Sequence, residues 1–207
     1  MGCGRSGTWL LTAAFSTFGD LDVMGAESPA EAFGMFATDK PALLVKRDHV
    51  AYQRIEELPD SIEIAIIVRH PFAVLTSHNP VSRRAYHIAP HRWLGEMLAL
   101  QYLLDTRRPA TVIVRYEDLV TDPDRVQTRL SEAFRLPIAH PMSAIAEVFR
   151  PPASALSAMH GLRPVDRDSV EKYKHDPEKI AYLRSIRPRL GRLLTWVAEE
   201  YGYDIEI

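Results

Sequence analysis

Apolar positions along the chain follow two patterns. Three short, nearly continuous runs are rich in β-branched residues: Ala42–Lys46 (ALLVK), Ile62–Val68 (IEIAIIV) and Thr111–Val114 (TVIV), the last leading into Arg115-Tyr116. Such runs predict strands buried on both faces. Around them, helical spacing predicts helices over Thr8–Phe18, Pro29–Ala37, Pro71–His78, His91–Thr106, Pro123–Phe134 and Pro177–Tyr201. The segment Pro123–Phe134 carries the clearest start signal. Asp122 is placed to cap, Pro123 takes the first helical position, and Val126, Leu130 and Phe134 recur at i+4. Asp176-Pro177 repeats the device, and Pro188 is expected to kink or split the final helix. The stretch Arg150–Asp168 reads as a long loop. Strands alternating with helices predict an α/β class with a central parallel sheet covered by helices.

Composition narrows this only a little. The 207 residues suit a single domain, with 46% hydrophobic and 25% charged positions. A formal charge of −2 lacks the basic excess that non-specific nucleic-acid binding needs. Cys3 is the one cysteine, which excludes an intrachain disulfide and a cysteine-rich metal site. No apolar run approaches the ~20 residues of a membrane span, and the first residues lack a signal-peptide layout. A cytoplasmic location is therefore expected.

Candidate chemistry begins at the second residue. Gly2-Cys3-Gly4-Arg5-Ser6-Gly7-Thr8-Trp9 places closely spaced glycines just before a helical pattern. That is the layout of an anion cradle, in which turn amides and the helix dipole converge on one spot. Arg5 adds a full charge, and Ser6 and Thr8 add hydroxyls. The spacing of Gly2 and Gly7 is that of a nucleoside-triphosphatase P-loop, but Thr8 and Trp9 stand where Lys and Ser/Thr belong. A metal-free phosphate ester neutralised by Arg5 fits better than a Mg-nucleotide. A second anion motif follows the Ile62–Val68 run, in Arg69-His70-Pro71-Phe72-Ala73-Val74-Leu75-Thr76-Ser77. Arg69 falls at the carboxyl end of a strand, the ligand-binding rim of a parallel sheet, and Ser77 about two helical turns on.

On these residues the chain resembles the sulfotransferases that use 3′-phosphoadenosine-5′-phosphosulfate (PAPS). GCGRSGTWLL is similar to their 5′-phosphosulfate loop, and RHPFAVLTS to their 3′-phosphate motif, an Arg and a Ser eight residues apart. Arg115-Tyr116-Glu117-Asp118-Leu119 is similar to their R-Y-E-D-L, and the segment from Ser169 onward to their closing helical region. The resemblance implies a P-loop-like three-layer α/β fold and sulfuryl transfer from PAPS, without metal, to an acceptor hydroxyl or amine. His70 and Ala73 depart from the second motif, and Met1 stands where the family has its first strand. The sheet is therefore expected either to lack an upstream strand or to be built unusually.

Within that resemblance, Gly4, Arg5, Ser6, Gly7, Thr8 and Trp9 bind the 5′ end of the nucleotide. Arg69 and Ser77 bind its 3′-phosphate and so select PAPS over plain adenylates. Trp9 also reads as a buried helix tryptophan. Sulfuryl transfer resembles phosphoryl transfer, so the site must position two oxygens in line and stabilise charge on the leaving phosphate. Arg5 suits that task, since one preorganised donor is worth ~3 kcal/mol. Lys46-Arg47-Asp48-His49 is similar to the family's Lys-Thr-His segment, which makes Lys46 a bridge to the leaving oxygen and His49 or Asp48 the base. An early acid, Glu27 or Glu31, is the further option. Glu117 and Asp118 read as ties between loops.

Ser82–Trp93 is the densest basic and aromatic stretch, either an acceptor lid or a loop whose Tyr86 and Trp93 anchor in the core. Arg163, Lys172 and Lys174 fall where a late basic segment would close over the nucleotide. The eight histidines show no metal-ligand spacing. Expected partners are a small-molecule or carbohydrate acceptor, without nucleic acid. A small P-loop nucleotide kinase and an inactive nucleotide-binding module are the alternative readings.

Overall fold

The structure, a computed structural model, describes residues 1–28, 36–47, 61–78, 84–106, 111–150 and 170–207. In chain order these form α1 (Thr8–Phe15), β1 (Leu21–Ser28), β2 (Ala42–Arg47), β3 (Ile64–Val68), α2 (Pro71–Leu75) and α3 (Pro90–Asp105). There follow β4 (Thr111–Arg115), α4 (Tyr116–Thr121), α5 (Pro123–Phe134), α6 (Ile145–Val148) and α7 (Pro177–Tyr201), with 3-10 turns at Met142–Ala144 and Lys172–His175.

All strand pairing in the two ladders is parallel. β3 pairs with β4 from Ile64↔Thr111 to Val68↔Arg115, and β1 pairs with β2 from Leu21↔Ala42 to Ser28↔Arg47. Met1 and Gly2 add a short parallel contact to β3. Ile67 N–H donates to the Met1 carbonyl at 2.8 Å, the Met1 ammonium donates to the Ala65 carbonyl, and Gly2 bridges Ile67. Alternate residues of a strand point their backbone groups to opposite edges, so β3 lies between β4 and Met1–Gly2. The expected parallel pairing is present, as two parallel ladders among the described residues.

Helices cover both faces of β3. Ile64, Ile66 and Val68 join a core with α2, α3 and α7, centred on Trp93, Leu100, Leu183 and Leu190. Ile67, on the other face, joins Val114 with Leu11 and Phe15 of α1 and Leu130 and Phe134 of α5. Fully buried Ile66 and Ile67 in succession are what a doubly covered parallel strand requires.

The local signals hold best where a cap is specified. α5 spans Pro123–Phe134 as expected, with the Asp122 side chain accepting from Arg125 N–H at 3.3 Å. Elsewhere hydroxyls end helices early. Ser16 and Thr17 each donate to the carbonyl three residues back at 2.6 Å and stop α1 at Phe15. Thr76 bonds the Phe72 carbonyl at 2.7 Å where α2 stops. The break in α7 lies at Gly191 (φ 54°, ψ −146°) and not at Pro188, because only glycine adopts that backbone without strain. β1 and α4 were not expected. β1 carries two extra residues between Met24 and Glu27, which spoil its alternation. The helix expected over Pro29–Ala37 falls mostly outside the described residues, and Phe36 and Ala37 are not helical. No helix among the described residues is long and apolar enough to cross a membrane.

Candidate active site

The chain passes from Met1–Gly2 into α1 through a loop that closes on itself. The Cys3 carbonyl accepts both the Ser6 amide, at 3.0 Å, and the Ser6 hydroxyl, at 2.6 Å. Ser6 is buried and shapes the loop from inside. Arg5 (φ 68°) and Gly7 (φ 98°) take left-handed backbone conformations, a strain that a non-glycine residue bears only where the fold demands it. At Gly7 a Cβ would also lie 2.5 Å from the Tyr116 ring. α1 then starts at Thr8 with no side-chain cap. Its first-turn N–H groups have no partner within the helix, so the loop presents them with the positive end of the dipole.

The segment carrying Arg69 and Ser77 meets this loop directly. Arg5 Nε donates to Ser77 Oγ at 2.9 Å, across 72 positions of sequence. Arg69 Nη1 donates to the Arg5 carbonyl at 3.2 Å. Two guanidinium groups are therefore held close together, and burial followed by the Arg69 charge lowers the pKa of Arg5. Strand register explains the meeting. Val68 pairs with Arg115, so Arg69 and Tyr116 emerge side by side at the carboxyl rim. The Arg69 guanidinium lies 4.1 Å from the Tyr116 ring centroid, and that ring also backs Gly7. Tyr116 is a further candidate that the sequence reading did not single out. Its signal is an aromatic immediately after a strand, one register step from an arginine.

A third group gathers at the end of the other ladder. Lys46, buried at the end of β2, is ion-paired to Glu27 of β1, and its ammonium lies 4.4 Å from the centroid of Trp9. The irregularity after Met24 places Glu27 opposite Lys46 in the register. Trp9 is partly buried against the α1 core, so its ring carries packing on one side and a cation on the other. Asp48, His49 and Glu31 lie outside the described residues.

The departure at position 70 has a structural account. His70 Nδ1 accepts from Phe72 N–H at 3.2 Å and caps α2, as an Asp or Asn side chain would. Its Nε2 then donates to the Asp204 carbonyl at 2.7 Å, with the Tyr173 hydroxyl at 3.2 Å. The Glu117 carboxylate accepts from His70 N–H at 2.9 Å and from the Tyr203 hydroxyl at 3.0 Å. Glu117 thus ties the second motif to the C-terminal segment, and Asp118 faces Arg115 at 3.6 Å. Burial holds the His70 pKa down at about 4 and pushes the Tyr203 phenol up.

Other expected site elements sit elsewhere. Trp93 is fully buried in the core, and the Tyr86 ring packs 4.5 Å from that of Tyr182 on α7, so both described aromatics of that stretch are anchored. Lys174 pairs with Glu171 at 2.9 Å and approaches Asp204 at 3.9 Å. Arg163 lies outside the described residues. Among the described residues no cluster of His, Cys, Asp and Glu is arranged to hold a metal.

No protein-family model and no curated protein matches the chain. Solved structures do. The sulfotransferase domain from the curacin biosynthetic pathway superposes with a TM-score of 0.69 at 15% identity, covering 99% of this chain and 96% of that one. The sulfotransferase domain of the Synechococcus PCC 7002 olefin synthase superposes with a TM-score of 0.71 at 17% identity, covering 99% and 94%. Superposed over nearly its whole length, with its parallel strands and flanking helices, the chain has the α/β fold of these sulfotransferase domains.

Proposed function

We propose that the chain is a PAPS-dependent sulfotransferase. The observation that carries this reading is the junction of Arg5, Ser77 and Arg69 above the uncapped start of α1. Two neighbouring guanidinium groups repel each other, and a ligand with phosphates at both ends relieves that repulsion. The residues fit such a ligand. Arg69 and Ser77 hold the 3′-phosphate, while Arg5 and the first-turn amides hold the 5′ end. Gly2 and Gly7 keep the loop free of side chains where the backbone must come close.

When bound, PAPS supplies the sulfuryl group and a phosphate leaving group. Arg5 and Lys46 stabilise negative charge at that end of the site, where a fixed donor acts without reorganising. Among the described residues, Glu27 is the acid placed against Lys46, and it takes the proton from the acceptor hydroxyl or amine. His49 and Asp48 remain the candidates from the following segment. A small-molecule acceptor suits the reading, as the two similar domains come from a biosynthetic pathway and a synthase.

Calorimetric titration with 3′,5′-adenosine bisphosphate, AMP and Mg-ATP tests the proposal. Tight bisphosphate binding without magnesium, abolished by Arg69→Ala, is the expected result. Preference for Mg-ATP would favour a kinase, and binding of none of them would leave an inactive module.

A further inference from the structure

We propose that Arg92 is a third donor-binding cation, set against the phosphate loop by the buried carboxylate of Glu96; this rests on the sulfotransferase reading above. A Cβ built on Gly4 would lie 3.3 Å from a terminal nitrogen of Arg92, so the guanidinium packs on the loop residue that precedes Arg5. Its Nε is taken by Glu96 Oε1 at 2.9 Å. The terminal nitrogens make no hydrogen bond among the described residues.

The electrostatics of this pair are costly unless it has a use. Arg92 is the third residue of α3, and a cation in a first turn opposes the helix dipole. Glu96 is a buried carboxylate whose side chain is 9% exposed, and its Oε2 has no hydrogen-bond partner among the described residues. A half-satisfied buried ion pair is weak evidence for stability, since apolar residues of the same size often serve as well. The exposure of the pair is also lopsided. The Arg92 side chain is 29% exposed while Glu96 is enclosed beneath it. The carboxylate therefore acts as a fixed anchor, and the guanidinium is aimed at the loop with its fork open. Glu96 is thus a positioning residue, and Arg92 meets the phosphosulfate end of the donor beside Gly4. Cys3 lies under the same corner, and after burial the Glu96 carboxylate is what raises its thiol pKa.

The test compares the parent chain with Arg92→Met and with the double variant Arg92→Met/Glu96→Met, by calorimetry with 3′,5′-adenosine bisphosphate and with PAPS. Both variants are expected to bind PAPS about ten- to hundredfold more weakly, the loss of one charged hydrogen-bond donor. The double variant leaves no lone buried charge, so its melting temperature stays near the parent's and it carries the test if the single variant fails to fold. Recovery of parental PAPS affinity in the double variant would show that Arg92 serves only to neutralise Glu96 and would overturn the proposal. Parental affinity in the single variant would do the same. If the parent binds neither nucleotide, the sulfotransferase reading itself falls and this inference goes with it.

Discussion

Acidification should destabilise this fold through His70 before most carboxylates are protonated. The ring is 7% exposed, accepts from Phe72 N–H through Nδ1 and packs against Phe72, Tyr173 and Tyr203 with centroids 5.1–5.4 Å away. Protonation would put a second hydrogen on Nδ1, facing an N–H donor, and would end the cap on α2. The native pKa is accordingly about 4, against 6.5 for an unhindered histidine, with desolvation the main cause. The unfolded chain takes up the proton first. This contribution to stability is therefore complete above pH 6.5 and is lost as pH falls toward 4. At pH 5 the loss through this one group is about 2 kcal/mol, and it approaches about 3 kcal/mol near pH 4. Urea unfolding at pH 7, 6 and 5 measures it, with His70→Asn as comparator. Asparagine still caps α2 but does not titrate. The variant should be less stable than the parent at pH 7, because it loses the ring contacts, and the gap should close by about 2 kcal/mol at pH 5. A gap that stays constant over that range would refute the reasoning, since carboxylates shared by both proteins cancel in the difference.

Gly7→Ala should abolish bisphosphate binding in calorimetry, because the new methyl meets the Tyr116 ring in a backbone region alanine avoids. Gln127→Leu should cost about 2–4 kcal/mol in urea unfolding, since it strands the Met142 N–H and the His140 carbonyl that the buried amide now satisfies. Its bisphosphate affinity should stay at the parental level. Glu27→Gln should lower the rate of sulfuryl transfer by about 10²-fold or more while leaving bisphosphate affinity within about threefold. An unchanged rate would return the role of base to His49 or Asp48.

The parts of the site legible in the sequence were those written in local code. Glycine spacing before a helical run predicts a tight loop, and an arginine after a buried strand predicts the rim, so Arg5, Arg69 and Ser77, which meet in the fold, were within reach as candidates. Lys46 was legible as a candidate for the same reason, as the one charged residue closing an apolar run. Tyr116 and Glu27 were harder. The role of Tyr116 depends on β4 pairing with β3 so that Val68 meets Arg115, which no short window contains. Glu27 depends on two extra residues in β1 that bring it opposite Lys46, and those same residues hid the strand. Ser6 was legible as a polar loop residue, but its bonds turn inward to Cys3, because a tight turn leaves its carbonyl in need of a donor.

By itself the sequence determined the α/β class, the capped ends of α5 and α7, and two segments that are candidates for anion binding. These follow from periodicity, proline and aspartate caps and glycine spacing, all of which act within a few residues. Tertiary structure decided which of these segments meet. The 2.9 Å bond from Arg5 to Ser77, the Tyr116 ring between Gly7 and Arg69, and the Glu117 tie from His70 to Tyr203 each join residues more than 40 positions apart. Parallel strands bring their carboxyl ends to one rim whatever lies between them in the chain. Register and packing then choose the neighbours, and those are properties of the folded molecule as a whole.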